Sequence, residues 1–171
     1  MKKIILNPLQ GMSIEEIGQI NFGESLDKIK LILGNPNNEE EFKLYYDDLE
    51  LRLDFDKNKL LEFIEIQGPY TQFIEPKIYN INPFKVYADE LIDILTKNNN
   101  GEIDDFEAPY SYGFSEISVG IWRDLVPKNL EEAANELKNG EYEDSKIWIE
   151  EDLKKSQHFW TIGIGNRDYY K

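Results

Sequence analysis

Between residues 49 and 55 the chain alternates strictly. Leu49, Leu51, Leu53 and Phe55 are apolar, and Glu50, Arg52 and Asp54 are charged. Side chains of a strand point to opposite faces with a period of two, so this segment has one buried face and one wet face. Asp56-Lys57-Asn58-Lys59 then reads as a turn, and Leu60 to Ile66, rich in Ile and Phe, returns as a hairpin partner that Gly68-Pro69 ends. The expected framework is therefore antiparallel sheet.

Helical signals are set between the strand signals. After a short strand at 3–6 and an apolar piece at Ile20-Asn21-Phe22, Ser25 is placed to cap a helix carrying Leu26, Ile29, Ile32 and Leu33. Gly34 and Pro36 stop it, the glycine by permitting a left-handed cap and the proline by refusing to continue. A short strand is expected near Ile78–Ile81. Ala88, Leu91, Ile92 and Leu95 then make one apolar stripe of a second helix, closed by Asn98-Asn99-Asn100-Gly101. Tyr110 to Trp122 reads as one extended segment, with Ile117, Val119 and Ile121 alternating against Glu116, Ser118 and Gly120; the chain finishes on a strand at Phe159 to Gly165.

The order helix, tyrosine-bearing segment, alternating strand, final strand occurs twice, over 20–68 and 84–165. Tyr46 to Leu53 can be laid beside Gly113 to Gly120. The halves differ in one connection, which in the second becomes a helical insert over 123–157. There Asn129 and Glu132 have capping-box spacing, Leu130, Ala133, Ala134 and Leu137 form an apolar face, and Lys138-Asn139-Gly140 ends the helix. Asp144 starts a further segment bearing Ile147, Trp148, Ile149 and Leu153. The expectation is an α+β fold: mainly antiparallel sheet with helices on one face, a tandem αβ repeat, and an acidic helical insert, all in one compact domain over 1–171. A chain of 171 residues buries roughly 68–70% of its unfolded surface, enough for a core without crosslinks.

Charge narrows the function. With 34 acidic against 19 basic residues the net charge is −15, a field that repels nucleic acid and anionic membranes and attracts a basic protein. The acidity is concentrated. Nine carboxylates against two lysines between Asn129 and Asp152 contribute −7, and Glu102 to Glu107 contribute −4. Over 102–114 the acids of the second run are mixed with Phe106, Tyr110, Tyr112 and Phe114, the composition of a binding surface. Candidate partner-binding residues are therefore Glu102, Asp104, Asp105, Glu107, Tyr110, Tyr112, Glu131, Glu132, Glu136, Glu143 and Asp144.

Catalytic chemistry finds little support in the residues. The absence of cysteine removes disulfides, thiolate nucleophiles and thiolate metal sites. His158, the only imidazole, sits beside Phe159 and Trp160 at a strand end, where packing is its ordinary role. Asp54, Asp56, Asn58 and Glu65 have the spacing of a calcium loop, but Lys59 stands where that loop needs glycine, and the flanks read as strands. A polar turn accounts for the same residues. A calcium-responsive protein and a carboxylate hydrolase are the alternatives to a non-enzymatic binding protein; no cofactor is expected. The apolar run after Lys3 is three residues long and meets Asn7-Pro8, short of a signal peptide's apolar core of about 7–15. No stretch approaches the ~20 residues of a membrane span. The expected compartment is the cytoplasm.

Phe22-Gly23, Leu33-Gly34 with Pro36, Tyr45-Tyr46 with Asp48-Leu49, Phe55-Asp56, Ala88 to Ile92, Ser111-Tyr112 with Trp122-Arg123, and Thr161 to Gly165 with Tyr169-Tyr170 resemble a group of uncharacterised bacterial proteins. These look like the immunity proteins encoded near bacterial toxin genes. That resemblance implies a binding protein that neutralises a toxin, and it supplies no catalytic residues. The helix–Gly–x–Pro–strand–hairpin plan also resembles the repeat of secreted enzyme-inhibitor domains, in which paired αβ units present a concave sheet.

Overall fold

The structure is a computed structural model that describes residues 1–136, 141–167 and 169–170. The chain begins with a meander: β1 (Lys2–Asn7), β2 (Gly11–Ile14) and β3 (Gly18–Asn21) pair antiparallel. α1 (Leu26–Leu33) follows, capped as expected by Ser25, whose Oγ accepts the Lys28 amide at 3.4 Å. Next come β4 (Asn38–Glu40), β5 (Lys43–Tyr46), β6 (Leu51–Phe55) and β7 (Leu61–Gln67). β8 (Ile74–Lys77) then returns to lie parallel to β1, completing a four-stranded sheet in the order β3-β2-β1-β8. This strand precedes the expected position; Ile78 and Ile81 form only an isolated bridge.

The second half repeats the plan: α2 (Ala88–Asn99), β9 (Ile103–Asp104), β10 (Ser111–Phe114), β11 (Val119–Trp122), an insert of α3 (Pro127–Glu136) and α4 (Glu141–Ser156), then β12 (Thr161–Gly165). The two sets of four strands join into one eight-stranded antiparallel sheet, β4-β5-β6-β7-β12-β11-β10-β9. Its order reads the same outward from the central β7–β12 pair, where Ile64 faces Ile164 and Ile66 faces Ile162. The fold is α+β with two mostly antiparallel sheets.

Matching backbone bonds set the correspondence between halves. Glu50 and Ser118 both adopt left-handed backbone, φ 48 and 50, and their amides donate to Asp47 O and Ser115 O at 3.0 and 3.2 Å. Their carbonyls accept the amides of Gln67 and Gly165 at 3.1 and 2.8 Å. Tyr46 thus corresponds to Phe114, one residue away from the alignment drawn on sequence. The same turns correct two strand expectations. Residues 110–122 form a hairpin rather than one strand, and β6 begins at Leu51 rather than Leu49. The misreading has a physical cause. Leu49 and Ile117 lie inside the turns yet point into the core, 6% and 7% exposed, so apolar alternation runs unbroken through a reversal of the chain.

One face of the large sheet is dry. Leu44, Leu53, Ile64, Ile66, Phe114, Val119, Ile121, Ile162 and Ile164 share a core cluster with Leu26 and Ile29 of α1 and Ala88, Leu91 and Leu95 of α2. Ile4, Leu6, Met12, Ile14 and Ile20 of the small sheet join the same cluster. Burying a Leu or Ile contributes about 1.5–3 kcal/mol, so this layer dominates stability. The insert departs from expectation at its starts. α3 begins at Pro127, whose fixed φ and missing amide suit a first helical position. Asn129 is therefore inside the helix, and its Nδ2 donates to the Tyr110 hydroxyl at 2.6 Å. α4 begins at Glu141 rather than Asp144. Leu137 and the stop at Lys138-Asn139-Gly140 lie outside the described residues.

Candidate functional site

The other face of the eight-stranded sheet carries the polar and small residues. On β12 the isoleucines turn to the core, so Gly163 and Gly165 turn outward. Gly163 pairs with Gly120, which pairs with Gly113. Three adjacent strands thereby present a strip of bare backbone. The end of the chain folds onto it. A Cβ on Gly120 would overlap the Tyr170 hydroxyl, and one on Gly163 would overlap the Phe63 ring and lie 3.2 Å from that hydroxyl. Tyr169 stacks on Phe63 at 4.4 Å, and Tyr170 meets Phe63 edge-on at 6.2 Å. Two bonds hold the approach: Ser118 Oγ donates to Asn166 O at 2.6 Å, and the Asn166 amide donates to Glu62 O at 2.8 Å. Burial pushes both tyrosine hydroxyls above their ordinary range.

Beside this aromatic cluster, Arg52 donates to Asp54 through Nε at 3.0 Å and Nη2 at 3.2 Å, pairs with Glu65 at 3.0 Å, and lies 5.3 Å above the Phe63 ring. Burial raises the Glu65 carboxyl while Arg52 pulls it back. The calcium-like set is thus divided among other duties. Asp54 and Glu65 face a guanidinium, and Asp56 Oδ1 accepts the amides of Asn58 and Leu60 at 2.8 and 2.9 Å, an ordinary Asx turn. Lys59 takes the left-handed conformation, φ 59. Among the described residues no three His, Cys, Asp or Glu side chains gather as a metal set.

Past Tyr170 the bare strip continues into an open groove of about 390 Å³. Gly113, Gly120 and Gly163 form its floor, and Ser111, Trp122 and Thr161, paired across the same strands, form one flank. Asp104 at the end of β9, Phe106 and Glu107 from the loop after it, and Glu65 line it as well. Phe106 is 93% exposed and Trp122 42%, the latter edge-on to Trp160 at 6.2 Å. Asp104 Oδ1 accepts the Phe106 amide at 3.2 Å. Among the described residues neither Asp104 nor Glu107 has an ion-pair partner, and no Lys or Arg lines the groove.

The residues singled out on sequence are therefore distributed. Asp104 and Glu107 line the groove; Glu102, just before β9, and Asp105, just after it, stay exposed. Tyr110 reaches Asn129, while Tyr112 borders the groove and packs against the core, edge-on to Phe159 at 6.0 Å. Glu131 and Glu132 are exposed on α3, Glu132 3.9 Å from Lys128. The side chains of Glu136, Glu143 and Asp144 lie outside the described residues. His158 packs on Tyr87 at 5.6 Å with Nδ1 2.8 Å from Val86 O. Sequence reasoning did not assign Trp122 or the glycine strip to a site. The signal was present in the Ile-Gly-Ile-Gly alternation followed by paired tyrosines, which demands something to cover the outward glycines. Among the described residues no helix is long and apolar enough to cross a membrane. Comparison with protein-family models, with curated proteins and with solved structures returned no match.

Proposed function

We propose that this chain is a non-enzymatic binding protein that docks a basic protein partner on the open face of its eight-stranded sheet, at the groove between Trp122 and the 102–107 loop. One observation carries the reading: Asp104, Glu107 and Glu65 line that groove together with two exposed aromatics, and no basic side chain among the described residues lines it. A cationic side chain placed there gains carboxylates for its charge and an aromatic face for its stem, the pairing that cation–π contacts and desolvated ion pairs use. The surrounding field of −15 speeds the encounter.

The immunity-type role fits this chemistry. A toxin that acts on an anionic substrate needs exposed cations, and a protein that pairs with those cations occludes its active site. Neutralisation inside the producing cell places the protein in the cytoplasm. The test is capture from a lysate of the native organism on immobilised wild-type protein and on the charge reversal Asp104→Lys/Glu107→Lys, with identification by mass spectrometry. Basic proteins enriched on the wild type and lost from the variant support the reading. Equal capture by both would remove the groove from it.

A further inference from the structure

A second hollow, about 780 Å³, opens where the starts of α2 and α3 meet the β9–β10 loop. Its most constrained member is Arg123. That side chain is 6% exposed in a chain with 34 acids, yet no carboxylate among the described residues lies within ion-pair distance of it. Nε donates to Pro109 O and Nη1 to Ser156 O, both at 3.0 Å, and the guanidinium sits 5.0 Å above the Phe159 ring. Carbonyls satisfy donors but carry no opposing full charge, and Asp89 acts on the guanidinium only from beyond ion-pair distance. A guanidinium has five N–H donors. Nε and Nη1 account for its hydrogen bonds among the described residues, and Arg123 lines the hollow.

Two helix starts face the same space. α2 begins at Ala88 behind Tyr87, whose side chain provides no cap bond. α3 begins at Pro127 with no acidic residue in its first turn, and Lys128 adds positive charge. The Ala88 amide donates to Gln157 O and the Asn129 amide to Val126 O, so the aligned dipoles and the amides left over make each start a weak positive pole. Asp89 and Glu90 stand in α2's first turn and Asp89 lines the hollow, so α2's pole is offset; α3's first turn holds no acid. Tyr87 and Tyr110 provide aromatic walls, which suit an organic anion better than a bare inorganic one.

We propose that this hollow is a carboxylate-binding site whose positive pole is Arg123 together with the starts of α2 and α3. Burial holds the Arg123 pKa below its usual value, in keeping with a charge that an arriving anion would compensate. The site is independent of the groove and opposite to it in charge preference. Because the whole chain repels anions at long range, added inert salt strengthens binding here and weakens docking of a basic partner.

The test is a ¹H–¹⁵N titration of the wild-type protein with sodium benzoate and, separately, with inorganic phosphate. Benzoate is expected to shift Arg123 Nε–H and the amides of Asp89 and Lys128 saturably in the millimolar range, and Arg123→Lys to lose about tenfold in affinity, because lysine lacks the planar fork. If that variant does not fold, the wild-type titration still decides, and Tyr87→Ala, which removes an exposed wall, is expected to weaken benzoate alone. Shifts with phosphate but not benzoate, or no saturable shift at Arg123, overturn the proposal.

Discussion

The hydroxyl of Tyr170 occupies the place where a side chain on Gly120 would begin. The open face of the sheet is therefore not bare by accident. Its glycines are matched to Tyr169 and Tyr170, and the groove opens beside Tyr170.

The match predicts a coupled pair. Gly120→Ala overpacks the contact and is expected to cost about 1–3 kcal/mol. Tyr170→Ala removes a half-buried ring and is expected to cost up to about 3 kcal/mol. In the double variant the added methyl meets no ring, so the two costs are non-additive by about 0.5–3 kcal/mol in denaturant titrations. Additive costs would mean that Tyr170 does not lie on Gly120.

Ser118 tests how the tail is held. Ser118→Ala keeps the left-handed turn and removes the bond to Asn166 O. The expected loss is about 0.5–1.5 kcal/mol, with faster hydrogen exchange confined to the amides after Gly165. Uniformly faster exchange across β12 would instead assign Ser118 to sheet stability.

Tyr46 gives the fold an alkaline limit. Burial, with Glu39 nearby, pushes its phenol up to about 12, and its hydroxyl donates to Gly34 O at 3.1 Å. The folded value lies above the unfolded one near 10, so the stabilisation is complete below about pH 10 and is lost as pH rises toward 12. Tyr46→Phe is expected to be less stable at neutral pH by about 0.5–1.5 kcal/mol and to show a shallower alkaline decline. Identical alkaline limbs would contradict a buried, bonded phenol.

At the other end of the scale, amides of Leu60 and Asn58 hold the Asp56 carboxyl below its ordinary value. A depressed carboxylate contributes stability above its unfolded pKa that is lost as pH falls through the folded one. Asp56→Ala is expected to lower the melting temperature at neutral pH and to flatten the acid limb. Calcium is expected to leave the wild-type melting temperature unchanged, since Arg52 holds two of the four residues in question. A saturable calcium shift abolished by Asp56→Ala would restore the metal reading.

Much of the framework was legible because period-two and helical spacings report local burial. The 51–67 hairpin, α1 with its Ser25 cap, and α2 all follow from such spacings. The small sheet did not, because its parallel β1–β8 pair joins residues some seventy positions apart, and nothing local records the partnership. Turns that bury their third residue disguised the β10–β11 hairpin as a strand. For the site, charge pointed to the 102–107 loop but could not say which members face the groove. Trp122 and the glycine strip acquire meaning only when β10, β11 and β12 lie side by side.

The central claim is that a basic partner docks at the groove. The most direct measurement is the association rate of a captured basic partner, by stopped flow, from low to high salt, with wild type and with Asp104→Lys/Glu107→Lys. The wild-type rate is expected to fall by about tenfold or more with salt, and the variant to start slow and change little. A wild-type rate indifferent to salt, or a variant that follows the wild-type curve, would contradict it.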